Sequence, residues 1–289
     1  MVKLFKVKDK IFKYILELSA LIILLICGGM FYSLTSGSLE AFSHFGFIDF
    51  ITGTQWNPNP ENEQYGALPF IMGTIFTSFL ALCICIPFAL AISLFNGEYF
   101  KGKKISIFVG SVVDLLAGIP SVIYGLWGFY AIKPIIVSLG LSQQGFSILT
   151  ASIILSIMII PYAASLSAEF IAMVPKELKE GAYGLGATRL EVINTVIFPA
   201  ASSGIFASFI LALGRSLAET MAVTMLIGNT NQIPSSIFES GNTMASLIAN
   251  QFGEASDLRL SSLIAIGLLL FMITAIINFI GRKVMKQLS

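Results

Sequence analysis

Three ionisable side chains stand deep within apolar runs of this chain: Asp114, Arg215 and Glu219. At a helix centre in a membrane each costs about 2.5–3.5 kcal/mol on insertion scales unless something compensates it, so each needs a reason to be there. Arg215 and Glu219 are four positions apart, one turn of a continuous helix, where their side chains can share a face and partly neutralise each other. A guanidinium stays charged at any depth and offers a planar fork of donors, which suits an oxyanion such as phosphate, sulfate or a carboxylate better than a neutral solute. On that reading Arg215 faces a transport path. Glu219 holds it between passages and keeps the empty path from being strongly cationic, and Asp114 joins them through its depth alone. The same residues also fit an intramembrane ion pair that only stabilises a bundle or reaches across to another subunit, and residue type leaves both open. Other chemistry has little to stand on. The single histidine, His44, has no partner pattern around it, and Cys27, Cys83 and Cys85 lie in apolar runs without metal or redox spacing, so no metal site is expected. No convergent nucleophile–base set suggests a membrane-embedded enzyme.

The elements that must hold these residues are membrane spans. Of 289 residues 56% are hydrophobic and 11% charged, with a mean hydropathy of +0.86, far from an average soluble domain. Apolar runs predict six helices, at about 14–34, 67–95, 105–132, 146–171, 201–227 and 260–280. Arg215 falls about 14 residues, or roughly 21 Å, into the fifth, and Asp114 roughly 14 Å into the third. Pro69, Pro87 and Pro161 lie in spans, and Ala117-Gly118-Ile119-Pro120-Ser121 reads as a break in the third. A cleaved signal peptide competes for the first run, because Ser36-Gly37-Ser38 follows it, but the run is long for that role.

Net charge is only +1, yet the signs are segregated. Lys3, Lys6, Lys8, Lys10 and Lys13 precede the first span, Lys101, Lys103 and Lys104 follow the second, Lys176, Lys179 and Arg189 follow the fourth, and Arg282, Lys283 and Lys286 follow the sixth. With six spans these four segments share one side, so both termini are expected in the cytoplasm of a bacterial cytoplasmic-membrane protein. The outer loops, 35–66 and 229–258, carry Glu40, Asp49, Glu61, Glu63, Glu239, Glu254 and Asp257, and offer a landing surface for a soluble partner. Trp56 and Tyr65 are expected at the membrane–water boundary.

One segment, 174–199, is polar, charged and helical in pattern. Pro175 suits a first helical position with Glu177 in the first turn. Gly184 and Gly186 permit a left-handed turn, and Thr188 with Glu191 has capping-box spacing. Pro199 is expected to end the second helix. The product is a helix–turn–helix between two spans. It carries too few basic residues, and too much apolar sequence on both sides, to read nucleic acid.

Here the chain resembles the permease subunits of ATP-binding-cassette importers. Glu180-Gly181-Ala182, Gly186 and Val196-Ile197-Phe198-Pro199 match, with Gly181, Val196 and Phe198 as the departures, a cytoplasmic signature of Glu-Ala-Ala, three residues, Gly, nine residues, Ile-x-Leu-Pro. The resemblance implies an all-α polytopic permease of the type I architecture, a single transmembrane domain over 1–289. Its hairpin is a coupling helix, and Glu180, Gly181, Ala182, Gly186, Thr188, Arg189 and Pro199 are implied at the ATPase interface. The texts Ala212–Thr224 and Asp114–Gly128 are similar to phosphate-specific importer permeases. Trp56-Asn57-Pro58, Tyr65–Phe70 and Gly73-Thr74 are closer to the PstC branch than to PstA. The resemblance implies that Arg215 and Glu219, with Asp114 beside them, line a phosphate path. It further implies a PstA-like permease, a PstB-like ATPase dimer and a PstS-like phosphate-binding protein as partners. No Gly-x-x-x-x-Gly-Lys-Ser/Thr stretch occurs, so this chain is expected to be no enzyme and to bind no cofactor, with ATP used by the partner ATPase. A sulfate or molybdate permease and a secondary anion transporter stand beside the phosphate reading.

Overall fold

A computed structural model describes residues 2–59 and 61–288; Met1, Pro60 and Ser289 lie outside it, as do the side chains of residues 2–9, Ile11 and Leu288, and with them Lys3, Lys6 and Lys8 of the basic N-terminal cluster. Six helices among the described residues are long and apolar enough to cross a membrane: Phe12–Phe45, Leu68–Tyr99, Ser121–Ser138, Ile148–Met173, Arg189–Leu217 and Asp257–Gln287. The count agrees with the sequence expectation, and the boundaries differ where side chains override local pattern.

The first helix, α1 (Val2–Phe45), runs eleven residues past the expected exit at Leu34 and takes in much of the 35–66 loop. Its polar tail is helical because it packs on the last helix: Ser261 Oγ donates to the Gly37 carbonyl at 2.8 Å and accepts from the Ala41 N–H at 3.0 Å. A short α2 (Phe47–Thr52) and a two-stranded antiparallel ribbon, β1 (Trp56–Asn57) and β2 (Gln64–Tyr65), follow, with Trp56 opposite Tyr65. Trp56 and Tyr65 are not boundary anchors. They are 6% and 3% exposed, their rings meeting edge to face at 4.8 Å between centroids in a cluster with Phe50, Phe70 and Leu247, and Trp56 Nε1 donates to Gln251 Oε1 at 3.0 Å. Burial pushes the Tyr65 hydroxyl above its ordinary pKa. These pieces cap one end of the bundle.

The central pair is α3 (Leu68–Leu94) against α7 (Ile148–Met173), joined through Ala81, Cys85, Ala89, Ile154, Leu155 and Met158. Both run through their internal prolines, Pro87 and Pro161, without a break, since neighbouring helices tolerate a freed carbonyl. After α3 a wide π-helical turn, Phe95–Tyr99, leads to α4 (Lys104–Ala117). The expected interruption at Gly118–Pro120 is present. Beyond it α5 (Ser121–Trp127), a second π turn and α6 (Lys133–Ser138) carry the third span further than Ile132, with the Lys133 ammonium 4.2 and 3.8 Å from the Phe129 and Phe146 ring centroids.

At the other end of the bundle lies the helical hairpin: α8 (Lys176–Gly184), a turn, and α9 (Arg189–Val192). Pro175 caps α8 rather than opening it. Pro199 ends nothing. A π turn at Ile193–Ile197 passes directly into α10 (Phe198–Leu217), placing Pro199 just after the wider turn, in the first turn of α10. A short α11 (Met221–Thr224), α12 (Met244–Gln251) and α13 (Asp257–Leu288) complete the chain.

Candidate functional site

The fifth span stops short of its expected limit. It ends at Leu217, inside the apolar run, and Ala218–Thr220 separates it from α11. Arg215 therefore sits in the last turn of α10, where a cation meets the negative end of the dipole. Glu219 lies beyond the helix, not on its face. Its Oε1 accepts from the Ala222 N–H at 3.4 Å, at the start of α11. The expected Arg215–Glu219 ion pair is absent among the described residues, because the break turns the two side chains onto different elements.

What Arg215 meets instead is Tyr162, whose ring centroid lies 4.1 Å from the guanidinium carbon. The guanidinium has no acceptor among the described residues, so its fork of donors is open and the side chain is exposed. Tyr162 in turn donates its hydroxyl to the Ala117 carbonyl at 3.0 Å, and Tyr124 donates to the Leu116 carbonyl at 2.8 Å. The Ala117 carbonyl has no backbone donor where α4 stops, and Tyr162 satisfies it, while the Leu116 carbonyl accepts from both Tyr124 and the Ile119 N–H at 3.3 Å. Beyond the breaks the half-helices α5 and α11 pack together. Gly125 permits this, since a Cβ there would stand 2.8 Å from Met225 Sδ and 3.0 Å from the Ala222 Cα. Two interrupted spans thus adjoin, with an open guanidinium at the end of one and tyrosine-capped carbonyls at the end of the other. Asp114 lies one turn before the second break, is exposed, and has no ionic partner among the described residues. The tyrosines escaped the sequence reading because an aromatic in an apolar span is indistinguishable there from packing.

The turn of the hairpin is built as its sequence predicts. Gly186 adopts φ +88°, with open space around it, and the capping box is complete: Thr188 Oγ1 accepts from the Glu191 N–H at 3.4 Å, and Glu191 Oε2 accepts from the Thr188 N–H at 2.7 Å. Its base is apolar, with Ile171, Val174, Val192, Ile193 and Ile197 buried. Its tip is an exposed patch of Leu178, Tyr183, Leu185 and Leu190, in which Leu185 is 92% exposed. Glu180, Gly181, Thr188, Arg189 and Pro199 are exposed as well, Ala182 half-buried.

Residues 86–288, which contain both breaks and the whole hairpin, match the family model described as binding-protein-dependent transport system inner membrane component. The chain belongs to this permease family. A PstC named phosphate transport system permease protein, from Mesorhizobium japonicum, is 40% identical over 100% of this chain and 93% of its own. One of the same name from Haemophilus influenzae is 38% identical over 97% and 94%, and one named probable phosphate transport system permease protein PstC, from Methanocaldococcus jannaschii, is 35% identical over 92% and 89%. Among solved structures, a bacterial ABC transporter involved in import of the acidic polysaccharide alginate matches with TM-score 0.62 at 19% identity, over 92% of this chain and 95% of that one. The MetNI methionine ABC transporter matches with TM-score 0.58 at 16% identity, over 76% and 94%. The permease is accordingly an all-α, multi-pass membrane protein with the ABC importer permease fold, and a transport component.

Proposed function

We propose that this chain is the PstC-type permease subunit of an ATP-driven importer of inorganic phosphate, forming the pathway with a PstA-like permease in the bacterial cytoplasmic membrane. Its full-length likeness to relatives named as phosphate permeases carries the proposal, and Arg215 gives it a chemistry. A guanidinium with an open fork, backed by an aromatic ring in the last turn of α10, is disposed to take a tetrahedral oxyanion by two parallel hydrogen bonds. Because the donors meet no carboxylate, the anion need not displace one. Glu219 and Asp114 stand off the guanidinium, temper the positive potential of the path and oppose long retention of the anion. ATP is hydrolysed by a separate PstB-like dimer seated on the hairpin tip, with Leu185 and its apolar neighbours buried in that contact and Glu180 to Gly186 facing it. A PstS-like binding protein delivers phosphate at the opposite, outer end, and both termini are cytoplasmic. Binding of ATP closes the ATPase dimer, moves the hairpin and alternates access to the breaks.

The deciding experiment is phosphate-stimulated ATP hydrolysis and phosphate uptake by the reconstituted complex. The native complex should show both, and Arg215→Ala should abolish uptake while the subunits still co-purify. Uptake by an inserted Arg215→Ala complex at the native rate would reject the role of Arg215, and stimulation by sulfate but not phosphate would reject the cargo.

A further inference from the structure

The π turn Phe95–Tyr99 closes the second span at the hairpin end, and contacts to α7, α8 and α9 fix it there. Gly97 is buried against α7, where a Cβ would stand 2.7 Å from the Ala168 carbonyl oxygen. Glu98 pairs with Lys179 of α8 through side chains only 12% and 11% exposed. The other ion pair among the described residues, Lys13–Glu17, is exposed and lies within one helix. The Arg189 guanidinium carbon lies 3.8 Å from the Tyr99 ring centroid, and Lys101 Nζ donates to the Ala172 carbonyl at 2.7 Å, in the last turn of α7. The hairpin is therefore held on the end of α3 as well as by its own two ends.

We infer that Glu98 is a positioning residue for energy coupling: its grip on Lys179 makes the second span move with the hairpin, alongside the two spans that flank it. This rests on the hairpin being the ATPase docking point. Packing alone does not account for the pair, since an apolar pair of similar volume would fill the space without desolvating two charges. A buried pair differs from an apolar one in direction. It has one short-range geometry, and separation leaves each charge without its partner in a place water scarcely reaches. That is what a joint needs if it must transmit a push without slipping. Glu98 lies within the π turn, and such turns are often found at functional sites.

The test uses the complete complex of this chain with its partner subunits in liposomes, with phosphate uptake and ATP hydrolysis measured on the same vesicles. Glu98→Gln should leave the ATPase bound and hydrolysing but lower the phosphate moved per ATP by about tenfold or more, as Lys179 loses its partner. Glu98→Lys combined with Lys179→Glu should return the ratio to within about threefold of native, while each single reversal stays low. A native ratio in Glu98→Gln, or a double reversal no better than the single ones, overturns the inference. Should Glu98→Gln fail to assemble, the double reversal decides by the same criterion. Failure of the phosphate assignment would appear in the unmodified complex, whereas failure of the joint appears only in variants of an active one.

Discussion

Replacing Tyr162 separates the two things it does. Its ring backs the Arg215 guanidinium at 4.1 Å and its hydroxyl caps Ala117 at 3.0 Å, so Tyr162→Phe removes the second and Tyr162→Leu removes both. A cation over an aromatic face contributes about 0.5–1 kcal/mol when exposed and about 2 when desolvated. The guanidinium is covered by the ring on one side and open on the other, which puts it between these limits, at about 1 kcal/mol. At about 1.4 kcal/mol per tenfold, loss of the ring should weaken the apparent affinity for phosphate about fivefold. The hydroxyl's bond contributes about 0.5–1.5 kcal/mol to the fold and nothing to the guanidinium. Uptake titrations in proteoliposomes should therefore show the half-saturating phosphate concentration near native in Tyr162→Phe and raised about fivefold in Tyr162→Leu, with both variants melting below native. If the Phe variant shifts affinity as far as the Leu variant, the ring is not what holds Arg215, and the reasoning is refuted.

Gly186→Ala places a side chain at φ +88° in open space, so the penalty is backbone strain alone, about 1–2 kcal/mol; recovery of the ATPase on pulling down the variant should fall while membrane insertion does not. Leu185→Asp, at the tip of the hairpin, should abolish that recovery with no change in the chain's own melting temperature. Gly125→Val should separate α5 from α11, since even a Cβ meets Met225 and Ala222 at 2.8 and 3.0 Å, and overpacking of this kind costs about 1–3 kcal/mol; thermal melting of the purified complex reports it.

Hydropathy alone gave the count of six spans but not the bounds of the third and fifth, and turn chemistry placed the hairpin's turn, because Gly186, Thr188 and Glu191 act on their immediate neighbours. The break at Gly118–Pro120 was equally legible, as proline and glycine punctuate a helix wherever they fall. The break after Leu217 was not, since Leu-Ala-Glu-Thr-Met holds neither residue. That is why the Arg215–Glu219 spacing was mistaken for a shared face. Pro199 misled in the opposite sense, its missing donor being absorbed by the π turn before it. The tail of α1 looked like a loop because Thr35, Ser36, Ser38, Glu40 and Ser43 are polar; the Ser261 contact that keeps it helical comes from more than two hundred residues away. Glu98 and Lys179 lie 81 positions apart, and no local pattern links them.

Because the rod from Arg189 to Leu217 is uninterrupted, the hairpin's second helix and Arg215 are opposite ends of a lever. Some 26 residues separate Arg189 from Arg215, roughly 39 Å at about 1.5 Å per residue. A tilt of about 10° about the Arg189 end would sweep the guanidinium through roughly 7 Å, wider than a phosphate ion, with no bond in the shaft remade.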